Sequence, residues 1–218
     1  MARKQRVIAY IDGFNLYFGL RESGLRRYYW LNLQVLAESL LRPEQKLVAT
    51  KYFTARIAGG CAGDSEGRGR TLDQKRKRQS DFLEALNTLP GFEMFEGHFL
   101  GKDIRCRSCK ASWRTHEEKM TDVQIATEML DDAYDDRFDT ALILSADSDL
   151  VPPMRSIRRR FPRKRLVVCF PPGRSSVQLK RAAHASLTVP VDKLDAAQFP
   201  DEVTKPDGFV LRRPQHWR

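Results

Sequence analysis

The chain has 218 residues, with 38 Lys and Arg against 28 Asp and Glu, a formal net charge of +10. Its 41% hydrophobic and 30% charged residues supply one sizeable core and exclude a collagen-like or wholly disordered chain. No uncharged run approaches the roughly 18 residues of a membrane span. The apolar run Val7–Ile11 stops at Asp12, short of the about 7–15 residues of a secretory h-region, so a cytoplasmic protein with no membrane partner is expected.

In chain order, Val7–Ile11 reads as a buried strand. Leu33–Leu41 reads as a helix, with Asn32 as N-cap and Pro43 beyond its end. Lys46–Thr54 is strand-like, and the Gly-rich Cys61–Gly69 reads as a loop. Leu72–Leu89 is a predicted helix with Phe82, Leu83 and Leu86 at core spacing, and Phe92–Leu100 a strand. Gly101–Glu118 is polar and reads as an insert. Thr121–Tyr134 is a helix, with Thr121 and Gln124 at capping-box spacing and Val123, Ala126, Leu130 and Ala133 as its apolar stripe. Thr140–Ser145 is a strand. Pro152 and Pro153 open a helix to Phe161, followed by strand Leu166–Phe170, helix Ser175–Ala183 and strand Ser186–Val189. Strands separated by helices imply βαβ units, hence an α/β fold with a mostly parallel central sheet and helices on both faces.

In such sheets ligands bind beyond the carboxyl ends of the strands. Asp12 directly follows the first strand. Asp147 and Asp149 follow Thr140–Ser145, and Asp122 lies in the first turn of the preceding helix. One such Asp is an ordinary cap or turn residue. Four that meet at one sheet edge of a basic protein suit divalent cations with hard oxygen ligands, Mg²⁺ or Mn²⁺. A metal held this way beside a basic surface suits phosphodiester hydrolysis. Asn15 orients a water or phosphate, or caps the helix that starts there.

The segments Val7-Ile-Ala-Tyr-Ile-Asp12-Gly-Phe-Asn15, Glu118-Lys119-Met-Thr-Asp122 and Leu142-Ile-Leu-Ser-Ala-Asp147-Ser-Asp149 together resemble the NYN domain, a branch of the PIN-like nucleases, and within it the LabA-like group. Order and spacing match over roughly residues 6–190; Ala146 stands where relatives often carry Gly. The resemblance implies a Rossmann-like PIN fold and metal-dependent ribonuclease chemistry, with acidic positions at Asp12, Asp122, Asp147 and Asp149 and Asn15 beside them. It divides the chain into an NYN domain over residues 1–192, with the Cys-containing insert at 101–118, and a C-terminal tail over 193–218.

Cys106 and Cys109 form a knuckle-like pair flanked by His98 and His116. These four could make a tetrahedral structural Zn²⁺ site. Reduced surface thiols, a redox pair and zinc shared between subunits are the alternatives. Cys169 is expected in the core. The run Arg155–Arg165 includes Arg158 and Arg159 and has no acid; Arg68–Arg78 includes Lys75 and Arg78. Both read as contacts to an RNA backbone or as solvated faces. Lys119 reads as a phosphate contact or a solvated lysine. Glu128–Asp139 holds six acids against one Arg and reads as a solvated face.

These observations lead to an Mg²⁺- or Mn²⁺-dependent endoribonuclease acting on single-stranded or structured RNA. The rival is a non-catalytic RNA-binding regulator or adaptor on the same fold. A homodimer is compatible with either.

Overall fold

The computed structural model describes residues 3–57 and 66–217, with the side chains of 66–71 and 113–117 outside that description. The chain runs β1 (Gln5–Asp12), α1 (Gly13–Glu22), α2 (Leu33–Ser39), β2 (Gln45–Ala55), α3 (Glu66–Leu86), β3 (Phe92–Arg105) and β4 (Ser112–Lys119). It continues with α4 (Thr121–Tyr134), β5 (Thr140–Leu144), α5 (Val151–Arg160), β6 (Arg165–Phe170), α6 (Val177–Ala182) and β7 (Ala185–Thr188). Last come α7 (Val191–Ala196), β8 (Glu202–Thr204) and β9 (Val210–Arg212). Among the described residues no helix is long and apolar enough to cross a membrane.

Seven strands form one sheet in the order β4-β3-β2-β1-β5-β6-β7, with every pair parallel except β3–β4. The predicted mostly parallel α/β architecture is therefore present. The chain winds outward from β1 through β2 and β3, then returns to β5 on the other side. That reversal opens a crevice between the carboxyl ends of β1 and β5, where α/β sheets bind ligands.

Alternation along β1 divides the core. Val7, Ala9 and Ile11 pack with Leu16, Leu20, Leu36 and Leu83 on one face. Ile8 and Tyr10 pack with Ile125, Met129, Met154 and Ile157 on the other. A period of two fixes this, and each fully buried side chain of this size stabilises by about 1.5–3 kcal/mol. The same period puts Asp12 on the α4 face, in step with Tyr10.

The structure departs from the sequence expectations in four places. The insert is an antiparallel hairpin: β3 extends to Arg105 and pairs along its outer half with β4. A polar pattern hid it, since the outer half of β3 is exposed at Leu100, Gly101, Lys102 and Asp103. Helix α3 starts at Glu66, so the far end of the predicted loop Cys61–Gly69 is helical, while its Cys61 lies outside the described residues. On α4 the buried apolar positions are Ile125, Met129 and Ala133, whereas Val123 is 69% exposed. Thr121 does not form the predicted capping box; the Glu118 carboxylate accepts from its backbone N–H at 3.0 Å instead. Finally, the acidic run is not simply a solvated face. Asp132 is fully buried against Lys51 of β2, Tyr10 of β1 and Arg137. Asp136 and Asp139 pair with Arg6, and Asp136 also with Lys164.

Residues 191–217 pack on the domain. Ala197 O accepts from Asn32 N at 2.8 Å, and Trp30 Nε1 donates to Pro200 O at 2.8 Å. Leu194, Phe199, Val203 and Leu211 join the core, and Trp217 stands against Tyr29, Trp30 and Phe82.

Candidate functional site

The site begins at the last residue of β1. Asp12 is 2% exposed and caps α1: one oxygen accepts from Asn15 N at 2.9 Å, the usual role of an N-cap carboxylate. Its second oxygen accepts from Asn15 Nδ2 at 2.6 Å and from Ser145 Oγ at 2.8 Å. Gly13 must follow, because a Cβ there would stand 2.7 Å from Phe53 O and from the Tyr52 hydroxyl. The Asp-Gly-x-Asn pattern is thus one local device. Asp ends the strand and caps the helix, Gly lets α1 lie on β2, and Asn turns back onto the carboxylate.

The second part comes from the end of β5. Ser145 donates to Asp12 and accepts from Asp147 N at 3.0 Å. Asp147 then caps a short 3₁₀ turn over Ser148–Leu150, accepting from Asp149 N at 2.9 Å. Asn15 Oδ1 accepts from Ala146 N at 3.3 Å, so strand ends β1 and β5 are tied twice. Asp149 is exposed on this turn.

Asp122, in the first turn of α4, supplies the third part. Burial pushes its pKa up to about 7, and the charges of Asp147, Asp12, Glu118 and Asp149 add to the shift. Burial likewise raises Asp12, against the lowering effect of the Asn15 and Ser145 bonds. The four aspartates read from the sequence therefore share one electrostatic field at the sheet's switch point. Among the described residues no group of three or more His, Cys, Asp or Glu is placed to hold a metal ion. The donors are an open cluster of carboxylate oxygens whose mutual repulsion a hard divalent cation relieves, so their chemistry fits Mg²⁺ or Mn²⁺.

Two contributors were missed in the sequence. Ser145 lies inside the quoted motif but has no role there until its strand neighbour is known. Arg174 follows β6 in the turn Pro171-Pro172-Gly173-Arg174. It donates to Asn15 Oδ1 at 3.3 Å and pairs with Glu22 at 3.0 Å. The strand-end rule, applied to β6 as it was to β1 and β5, would have found it.

The basic candidates separate. Lys75 and Arg78 on α3 line a cavity of about 700 Å³ that begins at Gly13 and Phe14, next to Asp12. Lys119 stands at the hairpin base, opposite His98 and three residues before Asp122. Arg155 is exposed on α5. From there the helix carries Arg158 and Arg159 away from the strand ends at about 1.5 Å per residue. Arg158 donates to Ala182 O at 2.8 Å, at the end of α6. Lys164, beyond the helix, sits at the opposite edge of the sheet with Asp136. The run is therefore not a single border of the site.

Among the described residues, His98 is not gathered with Cys106 and Cys109. Cys106 and Cys109 occupy the hairpin tip, where Lys110 N donates to Cys106 O at 3.1 Å. The backbone N–H and thiol of Cys109 and the N–H of Ser108 hold the Cys106 thiol below its ordinary range. His98 lies eight residues back along an extended strand, roughly 26 Å at about 3.3 Å per residue. His116 pairs with Gly101, five residues short of Cys106. Spacing in sequence suggested one ring of ligands, but an extended ribbon separates what a compact loop would gather. Cys169 is in the core, where burial pushes its thiol up to about 12.

Similar proteins bear on this geometry. A curated relative, 6-hydroxy-3-succinoylpyridine 3-monooxygenase HspA of Pseudomonas putida, is 27% identical over 187 residues, covering 70% of this chain and 55% of its own. The chain thus spans about half the length of that relative. The crystal structure of a protein of unknown function from Vibrio parahaemolyticus has the same fold, with a TM-score of 0.53 at 20% identity over 88% of this chain and 97% of that one. The NYN domain family profile matches residues 6–190, the span that holds the sheet and all four aspartates. The chain belongs to the NYN domain family.

Proposed function

We propose that this protein is a metal-dependent ribonuclease of the LabA-like group, built on an NYN domain over residues 1–192 with the hairpin as its insert and 193–218 as a packed tail. The observation that carries this reading is that Asp12, Asp147 and Asp149 lie near enough to Asp122 for their charges to help burial push it up to about 7. Those four would hold Mg²⁺ or Mn²⁺, which when bound supplies an activated water and stabilises the leaving oxygen.

The chain's own residues do the rest. Asn15 and Ser145 hold Asp12 in one orientation. Ser145 also fixes the 3₁₀ turn that presents Asp147 and Asp149. Arg174 orients Asn15 and places a positive charge beside the acidic centre. Lys119, Lys75, Arg78 and Arg155 are the phosphate contacts of this proposal; Arg158 and Arg159 extend them along α5 only for a longer strand.

The test is cleavage of labelled single-stranded RNA with Mn²⁺, with Mg²⁺ and with EDTA, beside Asp147→Asn. Metal-dependent cleavage that the variant lacks supports the reading. Salt-sensitive binding with no cleavage under either metal replaces it with the RNA-binding regulator.

The name of the Pseudomonas relative suggests a second reading, oxidation of a small aromatic acid, and the aromatic cavity beside Asp12 favours it. Oxygen uptake with 6-hydroxy-3-succinoylpyridine and a reduced nicotinamide, without RNA cleavage, would decide for it.

A further inference from the structure

The cavity of about 700 Å³ between α1, β2, α3 and the C-terminal segment is not used by the carboxylate chemistry. Its size falls within the range of ligand sites. Its walls are aromatic. Phe14 stands edge-on to Phe99 at 5.7 Å, Tyr17 stacks on Tyr29 at 5.1 Å, and Trp217 joins the lining. Tyr17 lines the cavity and is 45% exposed. Arg21, Arg26, Lys75 and Arg78 also line it, and among the described lining residues there is no Asp or Glu. A wall with four cations and no acid lies directly beside an acidic centre, because Gly13 and Phe14 continue from Asp12.

Flat aromatic walls take flat rings, and the cations take an anionic chain attached to the ring. An unpaired nucleotide has both. Base–aromatic stacking tolerates any base, while the backbone charge is met by Lys and Arg. A paired base has its faces covered and cannot enter.

We infer that this cavity is a base-binding subsite. It takes one unpaired nucleotide of an RNA strand, stacks the base on Tyr17 and its aromatic neighbours, and holds the flanking phosphates on Arg21, Arg26, Lys75 and Arg78. The inference rests on the ribonuclease reading and deepens it: an anchored base sets which phosphodiester lies at the aspartates and selects single strands over duplex.

The experiment uses a short single-stranded RNA carrying one 2-aminopurine, its fully paired duplex, and the full chain in EDTA. The expected result is quenching of the 2-aminopurine on binding of the single strand, and weaker binding of the duplex. Tyr17→Phe keeps the quench. Tyr17→Ala, with unchanged circular dichroism, loses it and binds about tenfold more weakly. Lys75→Gln and Arg78→Gln each lower the log–log salt slope by about 0.7. Binding with unquenched 2-aminopurine, or a Tyr17→Ala protein that binds and quenches like wild type, overturns the inference. Cleavage of the same strand with Mn²⁺ is measured separately. Cleavage with no quench leaves the nuclease and removes the subsite, whereas quench with no cleavage keeps the subsite and removes the nuclease.

Discussion

Lys51 Nζ lies 3.0 Å from Asp132 Oδ1, and both residues are buried, at 1% and 0% exposure. Lys51 comes from the middle of β2 and Asp132 from the last turns of α4, so the pair pins that helix to the sheet. Burial opposes the lysine charge, but bonds to Glu128 and Asp132 outweigh it and raise its pKa. Tyr10 donates its hydroxyl to the same carboxylate, and Arg137 reaches it at 2.8 Å. Because α4 also carries Asp122, this network positions the site from behind.

Lys51→Met leaves a buried carboxylate short of its main cation. A stability loss of about 3 kcal/mol is expected by chemical denaturation. The double variant Lys51→Met/Asp132→Leu should recover part of it, since the uncompensated charge is gone. A single variant as stable as wild type would show that Arg137 and Tyr10 satisfy Asp132 alone.

Asp147→Asn should leave RNA affinity near wild type and lower metal-dependent cleavage on the order of 10²-fold or more. Single-turnover kinetics beside a binding isotherm separates the two effects. Full cleavage by this variant removes the site assignment.

Ser145→Ala removes the hydroxyl that both orients Asp12 and anchors Asp147 N. Ligand-orienting hydrogen bonds of this kind are worth about 10–100-fold in metal affinity. Titration of cleavage with Mn²⁺ should show a higher midpoint with the maximal rate less affected. An unshifted midpoint would mean that Asn15 alone suffices.

Divalent metal should raise thermal stability by mass action. Metal at about 100 times its dissociation constant contributes about 2.7 kcal/mol. The shift in Tm with Mn²⁺ should be present in wild type and absent in Asp12→Asn. Equal shifts in both would place the cation elsewhere.

Acid stability depends on the cluster at the opposite edge of the sheet. Lys164 and Arg6 hold the Asp136 carboxyl down at about 2, and Arg6 lowers Asp139 as well. Folded values below the unfolded ones mean that their contribution is complete above the ordinary carboxylate range, near 3.9, and is lost as pH falls toward about 2. Asp136→Asn should therefore be modestly less stable than wild type near neutral pH, converge with it toward about pH 2, and so show a flatter acid limb between about pH 4 and 2. Urea midpoints across that range measure it.

The strand starts, the βαβ order and the acidic ends of β1 and β5 were legible because their signals are local. An apolar run that ends in Asp-Gly-x-Asn reports its own strand end and helix cap. The nearness of Asp12, Asp147 and Asp149 to Asp122 was legible because the strand-end rule converts sequence order into spatial position. Arg174 was not, since its role depends on β6 bringing a Pro-Gly turn over α1. Nor was the difference between the two basic runs, because sequence does not say which way a helix carries its charges relative to the crevice.

The sequence by itself determined the fold class and the ends of β1 and β5, since these follow from hydrophobic periodicity and backbone chemistry within a few residues. Only the tertiary structure decided which acids are buried ion-pair partners and which stand among like charges. Asp132 and Asp122 lie ten residues apart on one helix, yet one is neutralised by Lys51 and the other stands among like charges. Neutralisation depends on what the neighbouring strands bring within about 3 Å, and that distance is set by packing across the sheet. The same reason separates His98 from Cys106: an extended ribbon turns eight residues of sequence into a span that no metal bridges.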